Sequence, residues 1–171
     1  MNNNEKFIYD ESLSSSRTTS LFVFLMLIFL LLLLWRMNTS GLDFLSIIFL
    51  FFSGIFLFYS LNYRKLTIQL TPDVLQLTFG IFHWAVPMDN VESCKLDDPP
   101  VVKKYGGAGI HFMFVDGRYR ASFNFLEYPR VVIALRGKRR VRDISFTTRQ
   151  PDKVLRLIHK AAAARNLDAQ Q

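Results

Sequence analysis

Arg136, Lys138, Arg139, Arg140 and Arg142 form the densest run of charge in the chain, and cations so spaced can grip lipid phosphates or the acidic face of a protein partner. The same run also serves a solvated hairpin tip, where charge discourages edge-to-edge aggregation. A second candidate is the loop Lys103, Lys104, Tyr105, Gly106, Gly107, since successive glycine amides can converge on an anion. A nucleotide-binding loop wants a strand before it, a helix after it and a Lys-Ser or Lys-Thr pair. Here Pro99 and Pro100 precede the glycines and an apolar, strand-like run from Ile110 follows, so the stretch reads as a connection between sheets with two lysines for a minor anion contact. His83, His111 and His159 fall on different segments without metal-site spacing, and the sole cysteine, Cys94, lies near none of them in sequence. Asp97 and Asp98 are adjacent, so in extended backbone they point apart and serve to balance Lys95, Lys103 and Lys104. No catalytic set, metal set or cofactor motif emerges.

What positions these groups is dominated by oil. Leu21 to Leu34 is fourteen consecutive apolar residues, and Phe44 to Tyr59 is broken only by Ser46, Ser53 and Gly54. Extended by a few flanking residues, the first run makes a helix of about 18 residues, matched to a hydrocarbon layer roughly 30 Å thick. At about −0.3 to −0.6 kcal/mol for each central Leu, Ile, Phe or Val, it contributes roughly 4 to 8 kcal/mol towards insertion. Trp35-Arg36 stands where a signal-peptide cleavage site would need small residues, so the run is read as retained. The short polar turn through Asn38 and Gly41 makes the two helices, about 18–36 and 43–61, an antiparallel transmembrane hairpin. Lys6, Arg17, Arg64 and Lys65 flank its open end against Arg36 at the turn, which places both termini in the cytoplasm. Ser46, Ser53 and Gly54 form a small-residue stripe for close helix packing, against the first helix or in a homo-oligomer. Residues 1–17 are polar and read as a flexible tail.

From Asn62 onward the chain has the size of one domain. It holds 18 Lys and Arg against 10 Asp and Glu, a formal charge of +8. A basic domain beside an anionic leaflet accounts for that charge, while dispersed cations without a recognition helix or zinc spacing argue against nucleic acid. Alternation in Leu66, Ile68 and Leu70 begins a series of strands: 64–70, 74–79, 81–86, 91–96, 110–115, 119–125, 130–136 and 141–147. Asp116-Gly117 is a hairpin signal, and Val154, Leu155, Leu157, Ile158 and Ala161 or Ala162 form the stripe of a final helix, 151–165. Seven or eight antiparallel strands followed by one helix must close or fold over to protect their edges.

With its Leu-Thr-Pro-Asp turn, the Trp84 to Val91 segment, the Tyr105 to Ile110 stretch and the Thr147 to Ile158 entry into the last helix, residues 62–164 resemble the bacterial pleckstrin-homology-like domains found behind a two-helix membrane hairpin. The resemblance implies a split barrel of two sheets capped by the C-terminal helix. Eukaryotic relatives that hold phosphoinositides use cations around the first hairpin loop, and Leu70-Thr71-Pro72-Asp73 offers none, so headgroup-specific binding does not carry over. The expectation is a non-enzymatic inner-membrane protein that tethers a protein partner at the cytoplasmic face. The alternatives are direct recognition of anionic lipid and, in third place, a subunit of a membrane enzyme or transport complex.

Overall fold

The computed structural model describes residues 7–97, 108–137 and 140–168. The elements are β1 (Tyr9–Ser14), α1 (Ser16–Ser40), α2 (Phe44–Asn62), β2 (Lys65–Leu70), β3 (Val74–Phe79), β4 (Phe82–Pro87), a 3-10 turn (Met88–Asn90), β5 (Val91–Asp97), β6 (Gly109–Val115), β7 (Arg118–Asn124), β8 (Arg130–Leu135), β9 (Asp143–Thr147) and α3 (Pro151–Asp168). They divide into two units. One is the helical pair, Ser15–Arg64, and the other gathers β1, β2 to β9 and α3.

Within the helical unit, Ser15 caps α1 by accepting from the Thr18 amide at 3.0 Å, and Asp43 caps α2 by accepting from the Ser46 amide at 2.9 Å. Arg36 Nε donates to Asp43 Oδ2 at 2.9 Å, tying the two ends of the turn together. Gly41 sits there at φ 73°, a conformation that costs glycine nothing. Phe22 and Phe29 pack on Phe49, Phe52, Phe56 and Tyr59, and Ser46, Ser53 and Ser60 are buried at seven-residue spacing on α2. That is a close-packed helix seam. Outward faces stay apolar and exposed, as at Phe24, Leu31, Phe44 and Phe51. Both helices are long and apolar enough to cross a membrane.

In the other unit, a sheet of order β1-β2-β3-β4 faces a sheet of order β5-β8-β9-β7-β6. Period-two burial of Leu66, Ile68, Leu70, Leu75, Leu77 and Phe79 supplies one side of the core, and Ala121, Phe123, Ile144 and Phe146 the other. Phe79 meets Phe125 edge-on at 5.0 Å, and Trp84 meets Phe123 at 6.2 Å. Asp116 (φ 51°) and Gly117 (φ 77°) make the two-residue turn that their types demand. Val154, Ile158, Ala161 and Ala162 are the buried stripe of α3, which packs against β5, the 3-10 turn and β8.

Two expectations are corrected. Residues 9–14, read as part of a flexible tail, are strand β1, paired with β2 from Tyr9↔Leu70 to Ser14↔Lys65. The helical pair is thus inserted between two paired strands. Tyr9 and Leu13 alternate as β1's buried apolar residues, and a partner more than fifty positions away leaves no local signal. The strands are also not all antiparallel: β9 slides between β8 and β7 and runs parallel to β7, because β8 reaches across to pair with β5.

The Tyr9 end of β1 is fastened by polar contacts. Its hydroxyl donates to Glu11 Oε2 at 2.7 Å, Thr148 Oγ1 donates to the same oxygen at 2.6 Å, and the Arg149 amide donates to Glu11 Oε1 at 3.1 Å. Burial pushes the Tyr9 phenol up to about 12. The unfolded phenol ionises near its ordinary value of about 10, so the folded state binds the extra proton between those two values and loses stability as pH rises through that window. Denaturation midpoints should fall from pH 10 to pH 12 more steeply in the wild type than in Tyr9→Phe; parallel curves would contradict this.

Candidate functional site

Strand alternation puts Tyr119, Ala121 and Phe123 on the core face of β7, and Arg118, Arg120, Ser122 and Asn124 on the other. The parallel register sets Arg120 beside Asp143 and Ser122 beside Ser145. Arg120 Nη2 donates to Asp143 Oδ2 at 2.9 Å, and Arg118 Nε lies 2.7 Å from Asp143 Oδ1. Asp97 Oδ2 stands 3.7 Å from both Arg120 Nη1 and Arg130 Nε. Arg120, Arg130 and Asp143 are each 3% exposed, and the Ser122 and Ser145 hydroxyls bond each other with no solvent access. Asn124 Nδ2 donates to Ser122 Oγ at 2.7 Å. A cavity of about 170 Å³ opens beside this network, with Ser93, Lys95, Asp116 and Arg118 in its lining. Asp97 and Asp143 each face guanidiniums, which makes an internal ion network rather than a pair of carboxylates poised for acid and base work. Asp97, whose sequence neighbours are lysines, faces Arg120 and Arg130 as well; Lys103 and Lys104 lie outside the described residues. Asp98 lies outside the described residues.

Of the charge run, Arg136, Arg140 and Arg142 are exposed around the β8–β9 connection, while Lys138 and Arg139 lie outside the described residues. The loop candidates Lys103, Lys104, Tyr105, Gly106 and Gly107 lie outside them as well. Ser46 and Ser53 are buried in the helical unit, whereas Gly54 faces outward beside Leu50, Phe51 and Phe58, with nothing within 4 Å of an added Cβ. The structure thus separates the small-residue stripe into two faces. Among the described residues no three His, Cys, Asp or Glu side chains gather as a metal site. His111 Nε2 donates to the Ala108 carbonyl at 3.0 Å, and His83 Nδ1 is 3.0 Å from Thr78 Oγ1. Cys94 is buried on β5, where desolvation pushes its thiol up to about 11, a poor nucleophile at neutral pH.

A different surface emerges at the edge of the first sheet. Trp84, Ala85, Val86 and Pro87 of β4 line a groove of about 240 Å³ with Asn90, Leu135 and Val141. Beside it runs an aromatic chain: Trp84 lies 6.2 Å from Phe112, Phe112 stacks at 6.4 Å on Tyr119, and Phe114 tilts against Tyr119 at 5.0 Å. The Arg140 guanidinium covers the Tyr119 ring at 5.3 Å, within cation–π range. Phe112 and Phe114 are 51% and 77% exposed, more than core packing alone requires. Alternating strand positions default to burial, so the sequence pattern by itself does not set these aromatics apart from the core. The available signal was Phe112 and Phe114 sharing one face of a strand whose neighbour carries arginines.

No family model, no curated protein and no solved structure matches this chain.

Proposed function

We propose that this protein is a non-enzymatic, membrane-anchored interaction module: α1 and α2 cross the bilayer as a hairpin, and the sheet unit stands on the cytoplasmic side, where it tethers a protein partner. The observation that carries the reading is the insertion of two apolar helices between the paired strands β1 and β2. At 25 and 19 residues they extend about 37 and 28 Å, one longer than and one close to a hydrocarbon layer of roughly 30 Å. Their outward Phe and Leu side chains have no polar stripe to offer water. Pairing of Ser14 with Lys65 brings the chain entering α1 and the chain leaving α2 to one place, which favours an even number of crossings. Arg36 at the turn against Arg17, Arg64 and Lys65 at the open end favours a cytoplasmic sheet unit.

Two sheets followed by a helix support the pleckstrin-homology-like reading only at the level of layout, and a layout by itself assigns no activity. Tethering works through local concentration, so a weak contact suffices once the module is held at a surface. Mild crosslinking in native membranes followed by capture of the tagged chain should recover one protein reproducibly. Recovery of lipid alone would favour the anionic-lipid reading, and a co-purifying substrate or metal would overturn the non-enzymatic one.

A further inference from the structure

We propose that the outer edge of β4, at His83 and Ala85, docks an extended, acidic segment of a protein partner, which adds to the four-stranded sheet as a further strand. The proposal rests on the interaction-module reading and names the chemistry of what that module would hold.

Among the described residues β4 ends its sheet and pairs with β3. The Met88 amide donates to the Asp73 carbonyl at 2.8 Å, which sets the phase of the β3–β4 ladder. Hydrogen-bonded and non-hydrogen-bonded pairs alternate from there, so Trp84 and Val86 turn their backbone groups towards β3. Those of His83 and Ala85 face outward, and both residues are exposed. Ala85 has too small a side chain to block approach. Pro87, which can offer no outward amide, closes the row at one end.

Alongside this row lies the groove, with Trp84, Val86, Leu135 and Val141 as its apolar lining. A strand laid there would bond His83 and Ala85 through its main chain, and every second side chain would enter the groove. The rim selects the sign. Arg136, Arg140 and Arg142 are exposed at the β8–β9 connection, and Asp89 on the 3-10 turn is the acid nearest the groove in sequence. The opposite edge of the same sheet, β1, carries Asp10 and Glu11 instead. A flat leaflet would also meet arginines and exposed Phe114, but it offers no N–H and C=O in register with a strand edge. A peptide offers both.

Trp35 and Trp84 are the two tryptophans of the chain, so Trp35→Phe leaves Trp84 as the sole indole reporter. The full-length Trp35→Phe protein in a non-ionic detergent is titrated with an eight-residue peptide alternating Glu and Val, and with its Lys and Val counterpart. The Glu peptide should give a saturable change in Trp84 emission and the Lys peptide none. Ala85→Pro, which deletes one outward amide, should weaken binding about tenfold. Arg140→Gln with Arg142→Gln, a surface change that leaves the strand edge intact, should weaken it about fivefold at low salt. No response to the Glu peptide, an equal response to the Lys peptide, or an emission change given by phosphatidylglycerol nanodiscs and not by peptide would overturn the proposal. Sedimentation of the same protein with membranes separates the readings: a membrane-bound chain that ignores the peptide removes the docking site alone, while one soluble without detergent removes the anchor.

Discussion

Replacing Asp143 with alanine is expected to lower the stability of the sheet unit by about 3–5 kcal/mol, the usual cost of leaving a buried partner charge unanswered. Asp143 faces the Arg120 and Arg118 guanidiniums at 2.9 and 2.7 Å, and both Asp143 and Arg120 are 3% exposed. Its removal leaves Arg120, 3% exposed, with Asp97 at 3.7 Å as its described carboxylate partner. Against a total stability of about 5–15 kcal/mol the loss is a large fraction, and thermal unfolding should fall by more than about 10 °C. The double variant Arg120→Met with Asp143→Leu should recover most of it, because two apolar groups of similar volume need no partner. Arg118→Leu should cost far less, since its side chain is 34% exposed and water screens the charge it leaves. A change below about 1 kcal/mol for Asp143→Ala would show that the network does not hold β7 to β9.

The second large effect concerns the helices. Ser14 and Lys65 are the last paired residues of β1 and β2, so Ser15–Arg64 occupies the place of a hairpin loop. Replacing that whole segment with Asn-Gly, the residues a two-residue hairpin turn favours, should leave the β1–β2 ladder in register. The shortened chain should then appear in the detergent-free supernatant with its sheet signature by circular dichroism. The fourteen-residue run alone contributes roughly 4–8 kcal/mol towards the membrane, which amounts to roughly a thousandfold or more in partitioning. A shortened chain that still sediments with membranes would place the anchor elsewhere, for instance at the exposed Phe112 and Phe114.

Several of these features were legible in the sequence and others were not, for physical reasons. The apolar runs gave both helices to within a few residues at each end, because nothing but a helix hides so long an oily backbone. Asp116-Gly117 and the alternation of Leu66, Ile68 and Leu70 gave their hairpin and strand, since turn chemistry and period two are local signals. β1 escaped because its six residues carry only Tyr9 and Leu13 as apolar groups and its partner lies beyond the helices. The ion network escaped for a related reason: Arg120, Ser122 and Asn124 alternate with Tyr119, Ala121 and Phe123, a pattern that reads as a wet face. Only the parallel placement of β9 reveals that Asp143 and Ser145 meet that face and that it is closed to solvent. The arginines around the β8–β9 connection were visible as charge, but the groove beside them needs Trp84, Leu135 and Val141 from three separate segments.

Sided labelling tests the central claim most directly. In a Cys94→Ala background, single cysteines are placed at Ser40 in the helix turn, at Asp10 on β1 and at Lys160 on α3, all exposed positions. Intact cells are then treated with a maleimide that cannot cross the membrane. Ser40→Cys should react from outside, while Asp10→Cys and Lys160→Cys should react only after lysis. Labelling of Asp10→Cys or Lys160→Cys from outside, or protection of all three until lysis, would contradict a hairpin that spans the membrane and displays its sheets within the cell.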